Sequence, residues 1–161
     1  MKSLLLLSIL LLVACNINQE PETLVRSVDY PMRQANYNPV YGNVKVSELA
    51  PGKLEISILV ENTSKNLTHP AHLHFGSISE VGELAFRLNP IDGSTGTSVT
   101  ILDQAQLSNG EILTYDSFLS MNGSIKIHMD ELYFKNMVLS YANVGSNQDY
   151  FFDGVAVCTG H

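Results

Sequence analysis

The chain has 161 residues, of which 45% are hydrophobic, and its 16 acidic and nine basic residues give a formal net charge of −7. That length and apolar content suit one domain with its own core plus a processed leader, and leave no room for a second large domain. No Lys/Arg cluster forms a stripe able to follow a phosphate backbone, so nucleic acid is excluded as a partner.

The first element is a leader. Lys2 precedes an apolar run from Leu4 to Val13, then the small residue Ala14 and Cys15. The run is about half of the roughly 20 residues that a membrane-spanning helix needs, so residues 1–14 read as a signal peptide. Leu12-Val13-Ala14-Cys15 resembles the bacterial lipobox. That resemblance implies cleavage before Cys15, acyl chains on Cys15 and a stable lipid anchor in the bacterial cell envelope. Asn16, standing where a retention signal would place Asp, resembles outer-membrane sorting. With Cys15 lipidated, Cys158 is the remaining thiol, and no intrachain disulfide can form. Cys158 closes the apolar stretch GVAVC and reads as a small buried residue of a last strand.

Residues 15–39 are polar, carry three prolines and show no sustained period, which predicts a lipidated tether. From residue 40 to 161 the pattern is that of a domain. Val44 and Val46 alternate with polar residues, as do Leu54, Ile56, Ile58 and Val60, with APGK as the turn between the two runs. Further strands are expected at Ala71–Phe75, Glu83–Leu88, Ser98–Leu102, Glu111–Tyr115, Ser124–Met129 and Gly154–Cys158. PIDGSTG, SNGE and MNGS carry Asp-Gly or Asn-Gly pairs suited to tight reversals. About eight short strands at this spacing predict an all-β, antiparallel Greek-key sandwich or barrel. MDELYFKNMVLSY departs from the alternation and predicts a short helix or a structured loop near residues 130–141.

HPAHLHFG places His69, His72 and His74, three of the five histidines, within six residues. Residues i and i+2 of a strand point to one face, roughly 6.5 to 7 Å apart, so His72 and His74 can converge on one ion. Leu73 and Phe75 then take the core side. In SIKIHM, Ile125, Ile127 and Met129 face one way while Ser124, Lys126 and His128 face the other, which makes His128 a third candidate. Imidazole nitrogens suit copper and zinc, and three from two strands favour an open copper site over a closed tetrahedral zinc site. His69 is a candidate fourth ligand or a supporting group that orients a neighbour.

These residues resemble a family. HPAHLHFG and SIKIHMDEL with ANVGSN are similar to the copper strands and later loop of copper/zinc superoxide dismutases. The resemblance is closer to the CHRD domains of bacterial lipoproteins, through YGNVKVSEL, HPAHLHFG, LNPIDGSTGTSVT, ILTYDSFLSMNGSIKIHM and NVGSN, and it covers about Tyr41 to Cys158. It implies a dismutase-like β-sandwich in which His72, His74 and His128 are copper ligands and His69 is structural. Two departures argue against dismutase activity. No histidine lies between His74 and His128 to act as the bridge, and Asn147 and Gln148 stand where that family places a guiding arginine.

Two functions follow as expectations: copper handling, or a degenerate dismutase, at a lipid-anchored domain; and, alternatively, a metal-free module contacting a protein or glycan at the envelope. A hydrolase lacks its motif, since no GxSxG elbow or paired carboxylates stand out, and no catalytic residue is assigned. Asn62, Asn66 and Asn122 match the N-glycosylation pattern but read as turn residues in a bacterial lipoprotein. The Tyr150-Phe151-Phe152 cluster reads as packing, and His161 as a terminal residue.

Overall fold

The structure is a computed structural model and describes residues 26–149. The signal peptide, Cys15 with its lipidation, the Tyr150-Phe151-Phe152 cluster, the expected strand at Gly154–Cys158 and His161 lie outside the described residues.

Eight antiparallel strands close into a barrel: β1 (Ser27–Gln34), β2 (Tyr41–Ala50), β3 (Lys53–Glu61), β4 (Thr68–Phe75), β5 (Leu84–Asp92), β6 (Thr97–Asp103), β7 (Asn122–His128) and β8 (Val138–Gly145). Their spatial order is β1-β2-β3-β6-β5-β4-β7-β8, with β8 returning to β1. Strands β4, β5 and β6 follow one another while β7 returns beside β4, which is a Greek-key arrangement. The closure is sparse at two seams, where β1 meets β8 at Arg33 and Gln34 and β5 meets β6 at Asp92 and Thr97. The inward parity of each strand fills the interior: Val44 and Val46 of β2, Leu54, Ile56 and Ile58 of β3, Leu73 of β4, Ile125 and Ile127 of β7 are all buried.

The all-β expectation holds, but two strands differ from those expected. Residues 27–34 belong to the barrel as β1 and not to a tether ending at residue 39. Tyr30 and Met32 enter the core from it. Pro31 hid this strand, since proline has no N–H for a ladder. It is tolerated because β1 pairs along its length with β2 but with β8 only at Arg33 and Gln34. The second difference is at residues 130–141. Of the two alternatives expected there, the structured loop is the one formed, as far as residue 137, and the unexpected strand β8 begins at Val138 with all eight of its residues buried.

The strand expected at Glu111–Tyr115 does not form, since Ile112 makes only an isolated bridge to Gln106 and a helix begins at the last of these residues. There, α1 (Tyr115–Ser120) starts from Thr114, whose hydroxyl accepts from Ser117 N while the Ser117 hydroxyl accepts from Thr114 N. Of the expected turns, APGK and PIDGSTG join β2 to β3 and β5 to β6, and SNGE turns through Gly110 at φ 90°. MNGS is no reversal, since Asn122 and Gly123 already lie in β7. At the β5–β6 hairpin Gly96 has φ 71°, a conformation that an L side chain resists.

Candidate metal centre

Alternation sends Leu73 into the barrel and His72 and His74 outward from β4. On β7 it sends Ile125 and Ile127 inward and Ser124, Lys126 and His128 outward. The ladder between these strands sets His72 opposite Lys126 and His74 opposite Ser124, so His128 lies one step along the same outer face. Pairing is irregular next to two of the three histidines: β4 shifts register against β5 between Leu73 and His74, and β7 shifts against β8 between Ile127 and His128. Such bulges bend a strand and re-aim its side chains.

The result is a cluster. One ligand atom from each of His72, His74 and His128 lies within 4.8 Å of the others. Ring centroids are 4.9 Å apart for His72 and His128, 5.9 Å for His72 and His74, and 6.2 Å for His74 and His128. The outward position does not make these side chains wet, for their exposures are only 8%, 0% and 2% in chain order.

Two loops cover them. The chain between β4 and β5 folds back, held by Gly76 N donating to Asn122 O at 2.8 Å and Ile78 N donating to Asn143 Oδ1 at 2.8 Å. Ile78 seals it in a small second core with Ala35, Val138 and Tyr141. Gly82 of this loop accepts from His74 Nδ1 at 3.0 Å. A Cβ there would run into the Phe75 carbonyl oxygen, so glycine permits the close approach. The second loop joins β7 to β8, and its Lys135 carbonyl accepts from His128 Nδ1 at 2.7 Å. Asp130 organises this loop through Oδ1, which accepts from the backbone N–H of Phe134 at 2.9 Å and of Leu132 and Tyr133 at 2.8 Å. Those bonds, the one from Phe134 foremost, hold its carboxyl below the usual range.

His69 stands apart from the cluster. It is fully buried, and its Nδ1 contacts Met129 O at 3.0 Å, which braces the chain just after His128. It does not belong to the group of converging ligand atoms.

Sequence reasoning missed Arg87. This residue of β5 pairs in register with His72 and brings Nη1 to 3.2 Å from His72 Nε2. It also lines an open pocket of about 170 Å³ beside the cluster, with His72, His128, Asp130, Glu131 and Lys135. Only the pairing register could have found it, since nothing in LAFRLNPID marks that arginine.

Three buried imidazoles at this spacing could hold a metal ion, and two have the second ring nitrogen fixed by a carbonyl, as metal-binding histidines commonly do. The pocket gives solvent or a small ligand access to His72 and His128. Comparison with protein-family models, with curated proteins and with solved structures finds no match to this chain.

Proposed function

We propose that this is a lipid-anchored, CHRD-like protein of the bacterial cell envelope that binds copper through His72, His74 and His128 and serves in copper handling. The observation that carries this is the convergence of three buried histidines, two of them set by backbone carbonyls, on the outer face of a closed barrel. Imidazole nitrogens suit copper and zinc, and one ion can draw on all three rings at once. Neutral nitrogen donors in a three-ligand set favour copper over a closed zinc site. The Leu12-Val13-Ala14-Cys15 pattern supports the anchor, and Asn16 supports the outer membrane.

Copper handling stands ahead of dismutation. Arg87 supplies a cation near the cluster, yet the chain has no histidine between His74 and His128 to bridge a second metal. A second reading, a metal-free interaction module, is favoured by one observation: the loop over the cluster exposes Leu132 at 78%, Tyr133 at 86% and Phe134 at 53%.

Titration of the full-length protein in detergent with Cu(II) and Zn(II) separates the two. Copper handling expects one ion per chain, tighter for copper, with binding lost in both His72→Ala and His128→Ala. Micromolar or weaker binding that ignores both substitutions would sink it. Copper-loaded protein that clears superoxide no faster than free copper would dispose of the degenerate dismutase.

A further inference from the structure

The three imidazoles are held in unlike ways. A carbonyl oxygen only accepts, so the contacts of His74 with Gly82 and of His128 with Lys135 place a proton on each Nδ1. Each Nε2 then carries a lone pair, and both Nε2 atoms are buried. A guanidinium only donates, so Arg87 occupies the lone pair of His72 Nε2, and the proton of the neutral ring sits on the buried Nδ1. Two rings thus contact backbone carbonyls, while the third contacts a guanidinium.

We infer that Arg87 is a latch on His72 that weakens metal binding at this centre and is released when the ion binds; the inference rests on the metal-binding reading. The register of the sheet fixes the latch. His72 pairs with Arg87 between two irregularities of the β4–β5 ladder, one between His69 and Ala71 and one between Leu73 and His74, so this pair keeps regular cross-strand geometry.

Whichever nitrogen of His72 coordinates, the guanidinium must let go. Coordination at Nε2 takes the lone pair that Arg87 uses, and only that hydrogen bond breaks. Coordination at Nδ1 forms the metal–nitrogen bond there, sends the Nδ1 proton to solvent and draws one from solvent onto Nε2. Nε2 then faces Arg87 as a donor, and the hydrogen bond is lost. No net proton is released and no oxidation state changes in either case. Repulsion between the guanidinium and the incoming cation acts in the same direction. Once free, Arg87 lies on a pocket that also holds the carboxylates of Asp130 and Glu131, which can receive it.

The test uses full-length protein in detergent and two variants of this exposed residue, Arg87→Met and Arg87→Lys. Titrated with Zn(II) and with Cu(II), Arg87→Met should bind about tenfold more tightly, the worth of one charge-assisted hydrogen bond. Arg87→Lys, which keeps the charge and a donor, should stay closer to the wild type. Nitrogen-15 NMR of the metal-free protein should find His72 protonated at Nδ1, and the proton should move toward Nε2 in Arg87→Met. Unchanged or weaker binding by Arg87→Met, or His72 protonated at Nε2 in the wild type, overturns the latch and leaves the metal centre standing. No binding by any of the three proteins removes the centre itself and the latch with it.

Discussion

Two sides of one barrel use their outward positions in opposite ways. Along β3 and β6, burial alternates with the pleat, and the outward Leu59, Val99 and Ile101 stand in water. Along β4, β7 and β8 both faces are covered, and nearly every residue is buried. The open side behaves as a one-faced sheet should. The covered side spends two loops on hiding histidines, Ser124, Lys126 and Asn143, side chains that would be stable if left in water. A fold gains little from burying such groups, so their burial sets this side apart from the open one.

That contrast breaks first at the small second core. Ile78 is fully buried under the covering loop, and its N–H is tied to Asn143. Ile78→Ala should cost about 2–4 kcal/mol in urea unfolding, while Ile101→Ala on the open side should cost less than about 1 kcal/mol. The first should also weaken metal binding, because Ile78 seats the loop whose Gly82 carbonyl fixes His74. Equal costs for the two substitutions would mean that the covering loop is no better packed than the open surface.

Metal sharpens the same contrast. An ion that binds only the folded chain should stabilise it by about 2.7 kcal/mol at a free concentration 100 times the Kd, and chelation should reverse this. The thermal midpoint should rise with added copper in the wild type and stay fixed in His74→Ala. A midpoint that rises equally in both proteins would place the bound ion elsewhere.

What the sequence disclosed follows the same division. Strands β2, β3 and β6 were legible because each has one wet face and alternates accordingly. In β8, VLSYANVG is buried on both faces, so the period that identifies a strand is erased. In β1 the alternation survives, but Pro31 reads as a breaker unless the sparse pairing of its second edge is known. The candidate site shows the same limit. His72 and His74 were visible as a pair from local spacing, and His128 as outward-facing from its own strand. Their meeting depends on β7 lying beside β4, a neighbour set by the Greek-key return and not by sequence proximity. Arg87 and the carbonyls of Gly82 and Lys135 had no local signal at all. They reach the histidines only through register and loop closure.

The open side has a weaker, pH-dependent feature at the hairpin between β5 and β6. Asp92 Oδ1 accepts from the Ser94 hydroxyl at 2.6 Å and from Ser94 N at 2.8 Å, and these bonds hold its carboxyl below the usual range. A depressed folded value means that Asp92 adds stability above the ordinary carboxylate pKa near 4 and loses it as the pH falls through the folded value. Asp92→Asn should therefore unfold at a lower urea concentration than the wild type at pH 6, and the gap should close on acidification toward pH 2. A gap that persists at pH 2 would show that the hairpin depends on the shape of the residue and not on its charge.

The smallest effect is expected where the outward residues are apolar and half in water. Val99 and Ile101 face outward from β6 opposite Ser57 and Glu55 of β3, and each is about half exposed. Replacing both with threonine keeps the β-branch that suits a strand and removes only partly buried methyl groups. The hydroxyls enter solvent, so no polar group is stranded. Each change should stay within about 0.5 kcal/mol of the wild type in urea unfolding and leave metal affinity untouched. A loss above about 1 kcal/mol per residue would mean that this side is covered in solution after all, with a second copy of the chain as the first surface to look for, by sedimentation. A null result would leave the barrel with one side that tolerates change and one that does not, as the burial of the histidines implies.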